Sequence, residues 1–213
     1  MASRLPVVFC WHMHQPQYWD PERGVYHLPW TYLHAAKDYV DMAAHLVAVP
    51  EAKAVVNFAP ILLEQLDDYA RQVQTFLTTG APIRDPLLDA LAQPILPSDP
   101  ERRLHLIRAC MRANERRLIN RFPGFRRLVS LVKVIEKDDP ECAYLNDQFL
   151  ADMLVWYHLA WLGENVRRSD PRIKQWELKQ NRYTYEDRRG LVALIGELVG
   201  SVIPRYRELA ENG

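Results

Sequence analysis

LPVVFCWHMHQP, residues 5–16, is the stretch that decides the fold. Its first part, from Leu5 to Trp11, is a short apolar run rich in valine and aromatic residues, which predicts a β-strand buried on both faces. A second β-branched run, AVVNF at residues 54–58, has the same character. Between them, residues 33–48 place apolar side chains at three- and four-residue steps, as in an amphipathic helix. The order strand, helix, strand predicts a βαβ unit within a larger α/β sheet or barrel.

Beyond Pro60 the sequence predicts helices and almost no further strand. A capping side chain before proline at Asp99-Pro100 is a helix-start signal, and Pro123-Gly124 is expected to stop the helix that begins there. The other expected helices cover residues 61–77, a short piece within 82–97, 144–163, and 184 onward. The chain therefore divides into residues 1–60, the βαβ unit, and residues 61–213, a mainly helical part.

Two buried strands raise a difficulty, because a two-stranded sheet is marginal by itself. Either the helices cover an unusual two-stranded core, or the chain is the front part of a larger fold. We favour the second interpretation.

Composition excludes several classes of protein. The 213 residues carry 27 basic and 27 acidic side chains, so no net charge attracts the chain to nucleic acid or to an acidic membrane. Cys10, Cys110 and Cys142 are widely spaced and form no CxxC pair, which argues against a disulfide framework and a zinc knuckle. The sequence shows neither a signal peptide nor a membrane-spanning run. We expect a cytoplasmic protein with no nucleic-acid or membrane partner.

The residues that follow the first strand carry the chemistry. His12 and His14 fall at its carboxyl end, where α/β barrels place functional groups, and a period of two turns both imidazoles to the same side, away from Met13. Gln15 adds an amide. Three interpretations remain open: histidines that only bond to nearby loops, two ligands of a Zn²⁺ site completed by later strands, or imidazole and amide donors for sugar hydroxyls.

The sequence here resembles a known family. The run WHMHQP at residues 11–16, followed by YWDP at 18–21 and YHLPW at 26–30, is similar to the first motif of glycoside hydrolase family 57, whose members act on α-glucans. The similarity continues in four further segments, LHAAKDY at 33–39, NFAP at 57–60, LLEQL at 62–66 and WYHLAWLG at 156–163.

The resemblance implies a fold and a reaction. The fold is α/β, the N-terminal part of an incomplete (β/α)7 barrel with a large, mostly helical insert. Residues 1–60 would be the first βαβ unit of that barrel, and residues 61–213 would be a helical insert of the same catalytic domain, ending before the remaining strands. The reaction is cleavage or transfer of an α-glycosidic bond with retention, without a cofactor and without a metal. The substrate is an α-glucan or an oligosaccharide.

The family's catalytic glutamate and aspartate lie on later strands, and its second motif is Gly-x-x-Glu. No acidic residue of this chain matches either motif, so we assign no catalytic residue and expect the chain to be inactive alone. The predicted substrate-binding residues are His12, His14, Gln15, Trp30 and Asn57.

Each of the weaker candidates has a structural alternative. Trp30 stacks on a sugar ring or plugs the start of a helix, and Asn57 contacts substrate or caps the turn at Ala59-Pro60. Trp156 and Trp161 lie on an apolar stripe and are expected in the core. Glu164 and the arginines between residues 112 and 127 are expected on solvated surface.

Two other functional hypotheses stay open. One is a metal-dependent hydrolase whose His12 and His14 bind zinc. The other is a non-catalytic helical interaction subunit, which pairs with a second chain that carries the rest of the barrel.

Overall fold

The computed structural model describes residues 7–138 and 145–212, and for residues 137, 138 and 212 only the backbone. The start of the first predicted strand, the cysteine at position 142 and the predicted helix start at 144 lie outside these residues. The described chain is a mostly helical α/β structure with a small parallel sheet. Its helices are α1 (Trp30–His34), α2 (Val40–Ala48), α3 (Pro60–Thr79), α4 (Pro86–Ala92), α5 (Pro100–Met111), α6 (Pro123–Asp138), α7 (Asp147–Trp161), α8 (Glu164–Ser169), α9 (Pro171–Lys179) and α10 (Tyr185–Asn212).

The predicted strand–helix–strand order is confirmed. Strand β1 (Phe9–Met13) pairs in parallel with β4 (Ala54–Phe58), and the helix between them is α1 joined to α2 through a π-helical turn, Ala35–Tyr39. Strand β1 ends two residues later than the expected Trp11, so that His12 lies within it, and Val7 and Val8 of the expected run precede it. The connecting loop holds a small antiparallel pair that was not predicted, β2 (Trp19–Asp20) and β3 (Val25–Tyr26).

The prediction that the first strand is buried on both faces is wrong for the described residues. Val8 is 75% exposed, Phe9 58% and Val55 on the neighbouring strand 55%, whereas Met13 is buried. The two strands have no other strand beside them in the part of the chain that the structure describes. Helices pack on one face only, as the edge-on contact of the Tyr206 ring of α10 with Phe58 illustrates.

The helices follow their capping signals, with one correction. Asp99 accepts a hydrogen bond from the backbone of Arg102 and starts α5, as predicted. The helix ends at Met111, however, and Pro123 begins α6 instead of stopping α5, because proline at the first helical position loses no hydrogen bond. Gly124 fits there since any side chain would meet the Trp156 indole.

Helix α7 forms the centre of the core. Every residue from Phe149 to Trp161 is buried, which confirms the prediction for this helix and for its tryptophans. The last predicted helix is also confirmed, as α10, which crosses α3 and α2. Within the described residues no helix is both long enough and apolar enough to cross a membrane.

Candidate functional site

The candidate site lies where β1 and β4 end. Parallel pairing places His12 directly beside Asn57. The imidazole Nδ1 of His12 lies 2.7 Å from the amide Oδ1 of Asn57, so Nδ1–H is the donor. The alternative that Asn57 caps the turn before α3 is not what the structure shows, because the amide oxygen of Asn57 is bonded to His12 and its side chain makes no hydrogen bond to that turn within the described residues. The pair fixes the orientation of the His12 ring.

His14 lies on the same side of the strand as His12, as the alternation predicts. The two rings are stacked, with their centroids 5.8 Å apart and their planes 14° apart, and both side chains are exposed. Met13 between them is 3% exposed and joins the core on the opposite face. The strand therefore presents two adjacent imidazoles to solvent, each with ring nitrogens that can bond a ligand hydroxyl.

Gln15 is held by two tyrosines. Its Nε2 donates to the hydroxyl of Tyr39 at 3.1 Å, and its Oε1 accepts from the hydroxyl of Tyr18 at 3.1 Å. Burial raises the pKa of both tyrosines, which keeps the hydroxyls protonated. The amide is thus fixed and retains one N–H and one lone pair for a ligand.

The π-helical turn Ala35–Tyr39 brings the side chain of Tyr39 to Gln15. Tyr39 is buried, and its carbonyl accepts a hydrogen bond of 3.0 Å from the hydroxyl of Tyr206 on α10. Inserted π turns are frequent at functional sites, since they rotate the residues that follow. Here the turn links the loop after β1 to the long C-terminal helix.

Sequence reasoning missed Gln65, which orders the loop after β1. Its Oε1 accepts from the backbone N–H of Tyr18 at 3.3 Å and from Thr31 at 3.3 Å, and its Nε2 donates to the carbonyl of Pro16 at 3.0 Å. The signal in the sequence is a glutamine on the apolar stripe of α3, where it is 2% exposed. A buried amide in that position needs partners.

Trp30 lies in a different cluster. Its ring packs against Trp161 at 5.6 Å and against His34 at 6.3 Å between centroids, and it lines a small cleft with Tyr157 and His105. It makes no ring contact or hydrogen bond with His12, His14, Gln15 or Asn57 within the described residues. The structure therefore brings His12, His14 and Asn57 together, holds the next residue Gln15 against Tyr18 and Tyr39, and leaves Trp30 apart.

The carboxylate of Glu164 is held in an ion pair with an arginine. Its carboxylate lies 2.6 Å from a guanidinium nitrogen of Arg121, and this hydrogen bond lowers the pKa of the carboxyl group. At the start of α8, the backbone N–H of Glu164 donates a hydrogen bond to the carboxylate of Asp41. No carboxylate in the described ranges 7–138 and 145–212 bonds to His12 or His14.

No three His, Cys, Asp or Glu side chains of the described residues are grouped so that they could hold a metal ion. A zinc ion at His12 and His14 would require ligands from elsewhere. The arrangement as described can bind and orient a hydroxylated ligand through imidazole and amide groups.

Comparison with known proteins gives one match. The model of glycosyl hydrolase family 57 matches residues 8–213, nearly the whole chain. Searches of curated proteins and of solved structures found no match.

Proposed function

From the premise that the chain belongs to glycosyl hydrolase family 57, we propose that it supplies the sugar-binding first part of a retaining enzyme that cleaves or transfers α-glucan chains. The observation that carries the proposal is the fixed pair of His12 and Asn57 beside His14, at the carboxyl edge of two parallel strands. Functional groups of α/β barrels are found at this edge.

The proposed roles follow from the free hydrogen-bonding groups. Because Nδ1 of His12 is bonded to Asn57, its Nε2 remains to accept from a sugar hydroxyl. His14 offers the adjacent ring, and Gln15 contributes the unused N–H and lone pair of its amide. Asn57 acts by orienting His12, and Trp30 stacks on a more distant ring of the substrate.

The remainder of the barrel is also part of the proposal. Residues 1–60 are its first βαβ unit, and residues 61–213 are the helical insert of the same domain in an incomplete (β/α)7 barrel. The exposed apolar side chains of Val8, Phe9 and Val55 support this, since further strands and helices would cover them. An open apolar groove between α2, β4 and α10 has the same explanation.

Retention requires two carboxylates about 5–5.5 Å apart, one as nucleophile and one as acid and base. We propose that both come from outside the described residues, on later strands of the same polypeptide or on a second chain, and that this chain alone is inactive. The protein's own groups then bind and orient the sugar beside that pair. The proposed location of the reaction is the cytoplasm, where the free thiols of Cys10 and Cys110 would stay reduced.

The test is binding of maltotetraose to the 213-residue chain, measured by calorimetry. We expect His12→Ala and His14→Ala each to weaken binding by about tenfold, the effect of losing one hydrogen bond to the ligand. His45→Ala, an exposed histidine on α2, is the control and should bind as the unmodified chain does. Equal affinity of all four proteins would contradict the proposal.

Metal analysis and an activity assay address the alternatives. One zinc per chain that disappears in His12→Ala would establish the metal-dependent hydrolase instead. Absence of both zinc and sugar binding, together with capture of a second barrel chain, would favour the interaction subunit. Release of sugar by the chain alone would overturn the proposed inactivity.

A further inference from the structure

The side-chain amide of Gln65 spends all of its hydrogen bonds inside the protein. Its Oε1 accepts from the backbone N–H of Tyr18 and from the hydroxyl of Thr31, both at 3.3 Å. Its Nε2 donates to the carbonyl of Pro16 at 3.0 Å and to the carbonyl of Ile61 at 3.3 Å. Because an amide offers two N–H groups and two lone pairs, Gln65 has nothing left for a ligand and acts only on the protein.

The partners of Gln65 determine which way its amide points. A carbonyl oxygen can only accept and a backbone N–H can only donate, so the nitrogen faces Pro16 and the oxygen faces Tyr18. Gln65 is 2% exposed, so an amide turned the wrong way would leave buried groups unpaired, which is costly. The amide therefore has one orientation, in which it holds the chain on either side of Gln17.

Gln65 reaches Gln15 through these two points of the loop. Pro16 follows Gln15 directly, and the hydroxyl of Tyr18 donates to Oε1 of Gln15 at 3.1 Å. No hydrogen bond joins Gln65 to Gln15 itself within the described residues. The amide of Gln15 thus depends on Gln65 only through the course of the loop.

Strand β4 and helix α3 carry the supports of both halves of the candidate site. Asn57, which bonds His12, lies three residues before α3 begins at Pro60, and Gln65 lies in the second turn of that helix. The junction is itself fixed to β1, because the N–H of Ala59 donates to the carbonyl of Met13 at 2.9 Å. One continuous segment therefore holds both the imidazole and the loop.

We propose that Gln65 is a positioning residue, which fixes the amide of Gln15 by holding Pro16 and Tyr18. Without it, Tyr18 can turn away and the Gln15 amide loses one of its two hydroxyl partners. A ligand of Gln15 must then immobilise the amide when it binds, and affinity falls. That this ligand is a sugar rests on the proposed function, whereas the positioning of Gln15 does not.

The first measurement uses the 213-residue chain without ligand and follows the NMR signals of the Gln15 side-chain amide, which Gln15→Ala identifies. Gln65→Met keeps the size of the side chain and removes its amide, and we expect it to shift these signals. Gln72→Met is the matched control, because Gln72 is the other buried glutamine of α3 and bonds Asp68 and Arg84 instead of the loop. Unchanged Gln15 signals in Gln65→Met would overturn the inference.

Gln65→Glu is a second variant with a pH signature. The introduced carboxylate can accept from Tyr18 and Thr31 but has no hydrogen to donate to the Pro16 carbonyl. Burial raises the pKa of such a carboxyl group, so acidification from neutral pH protonates it and restores one donor. We expect the Gln15 signals of this variant to return toward those of the unmodified chain as the pH falls. A displacement that does not change with pH would contradict the role of the Pro16 bond.

Binding of maltotetraose then shows whether Gln65 acts through Gln15. We expect Gln65→Met to weaken binding by about tenfold. Combined with Gln15→Ala it should cause no further loss, whereas combined with His14→Ala the two losses should multiply, since independent sites add in free energy. Losses that also multiply with Gln15→Ala would overturn the positioning role.

The inference and the proposed function can fail separately. An unmodified chain that does not bind maltotetraose would contradict the proposed function, and the Gln15 signals of the ligand-free chain would still decide the role of Gln65. Thermal unfolding of Gln65→Met and Gln72→Met compares their stabilities. A shift of the Gln15 signals in both variants would assign the effect to lost stability of α3 and overturn the inference.

Discussion

Asn57 sets the orientation of His12 across the only pair of parallel strands in the described chain. The 2.7 Å bond from Nδ1 to the amide oxygen determines which ring nitrogen carries the proton. In histidine sites the partner of one nitrogen decides what the other can do. Here Nε2 of His12 has no hydrogen-bond partner within the described residues, and the side chain is exposed.

Asn57→Ala should therefore change His12 without unfolding the chain. We expect the nitrogen NMR signals of His12 to lose their preference for the Nδ1–H form, and maltotetraose binding to weaken by about tenfold. Val55→Ala is the matched control, since Val55 lies two residues earlier on the same strand and is exposed. An unchanged His12 signal in Asn57→Ala would show that the hydrogen bond does not fix the ring.

Tyr39→Phe should free one end of the Gln15 amide. The variant removes the hydroxyl that accepts from Nε2, so the amide can rotate, and we expect weaker sugar binding with a loss of about 1 kcal/mol in the free energy of unfolding.

Tyr206→Phe is the control for that variant, because its hydroxyl donates to the Tyr39 carbonyl and does not contact Gln15. It should cost similar stability and leave sugar affinity unchanged. If both variants weaken binding equally, the effect is one of packing and not of Gln15.

The elements that are best predicted from the sequence are those that depend on residues close to one another along the chain. The helix start at Asp99-Pro100 depends on one side chain and its own backbone, and the burial of α7 depends on an unbroken apolar run. The role of Pro123 is harder to predict, because proline both follows one helix and begins the next, and here α5 has already ended at Met111 when Pro123 begins α6.

The candidate site likewise combines features that the local sequence predicts with features that depend on tertiary packing. A period of two places His12 and His14 on one side of the strand without any tertiary information. The packing of Trp30 against Trp161, by contrast, joins residues that are 131 positions apart in the sequence and forms only when the helices have folded together. The contribution of Tyr39 to Gln15 depends on a π turn that has no clear signal in the sequence.

Gly163→Ala should destabilise the chain by a steric effect alone. The backbone of Gly163 has φ −63°, which any residue adopts, but a Cβ there would lie 2.5 Å from a carboxylate oxygen of Asp41 and 2.7 Å from the carbonyl of Lys37. We expect a loss of about 1–3 kcal/mol in the free energy of unfolding, measured with urea.

Gly200→Ala is the opposite case and serves as control. It lies inside α10, where a Cβ would meet only the Ala70 methyl at 3.8 Å. Alanine is the better helix former, so this variant should gain up to about 1 kcal/mol. Equal effects of the two substitutions would show that the contact with Asp41 is not tight.

Two buried groups should give the chain opposite responses to acid. Burial lowers the pKa of His158 to about 4, although its Nδ1–H donates to the Leu154 carbonyl, a hydrogen bond that raises the pKa. Its Nε2 accepts from the Tyr32 hydroxyl, which requires the neutral ring. Burial raises the pKa of Asp85 to about 6, despite hydrogen bonds from Leu88 and Tyr69.

His158 therefore opposes folding at low pH. Between pH 6.5 and pH 4 the unfolded chain binds a proton that the folded chain does not, so its contribution is complete above pH 6.5 and is lost as the pH falls through this range. The loss amounts to about 3 kcal/mol. His158→Gln keeps a donor and an acceptor without titrating, and its stability relative to the unmodified chain should rise by that amount between pH 7 and pH 4.

Asp85 acts with the reverse sign. Between pH 4 and pH 6 the folded chain holds a proton that the unfolded chain has released, so stability falls as the pH rises through this window, again by about 3 kcal/mol. In the unmodified chain the two contributions nearly cancel. Asp85→Asn removes one of them, so its stability relative to the unmodified chain should fall on acidification, whereas that of His158→Gln rises. Urea unfolding of the three proteins at pH 7, 5.5 and 4 measures both differences, and the same sign in the two variants would contradict the assignment of either group.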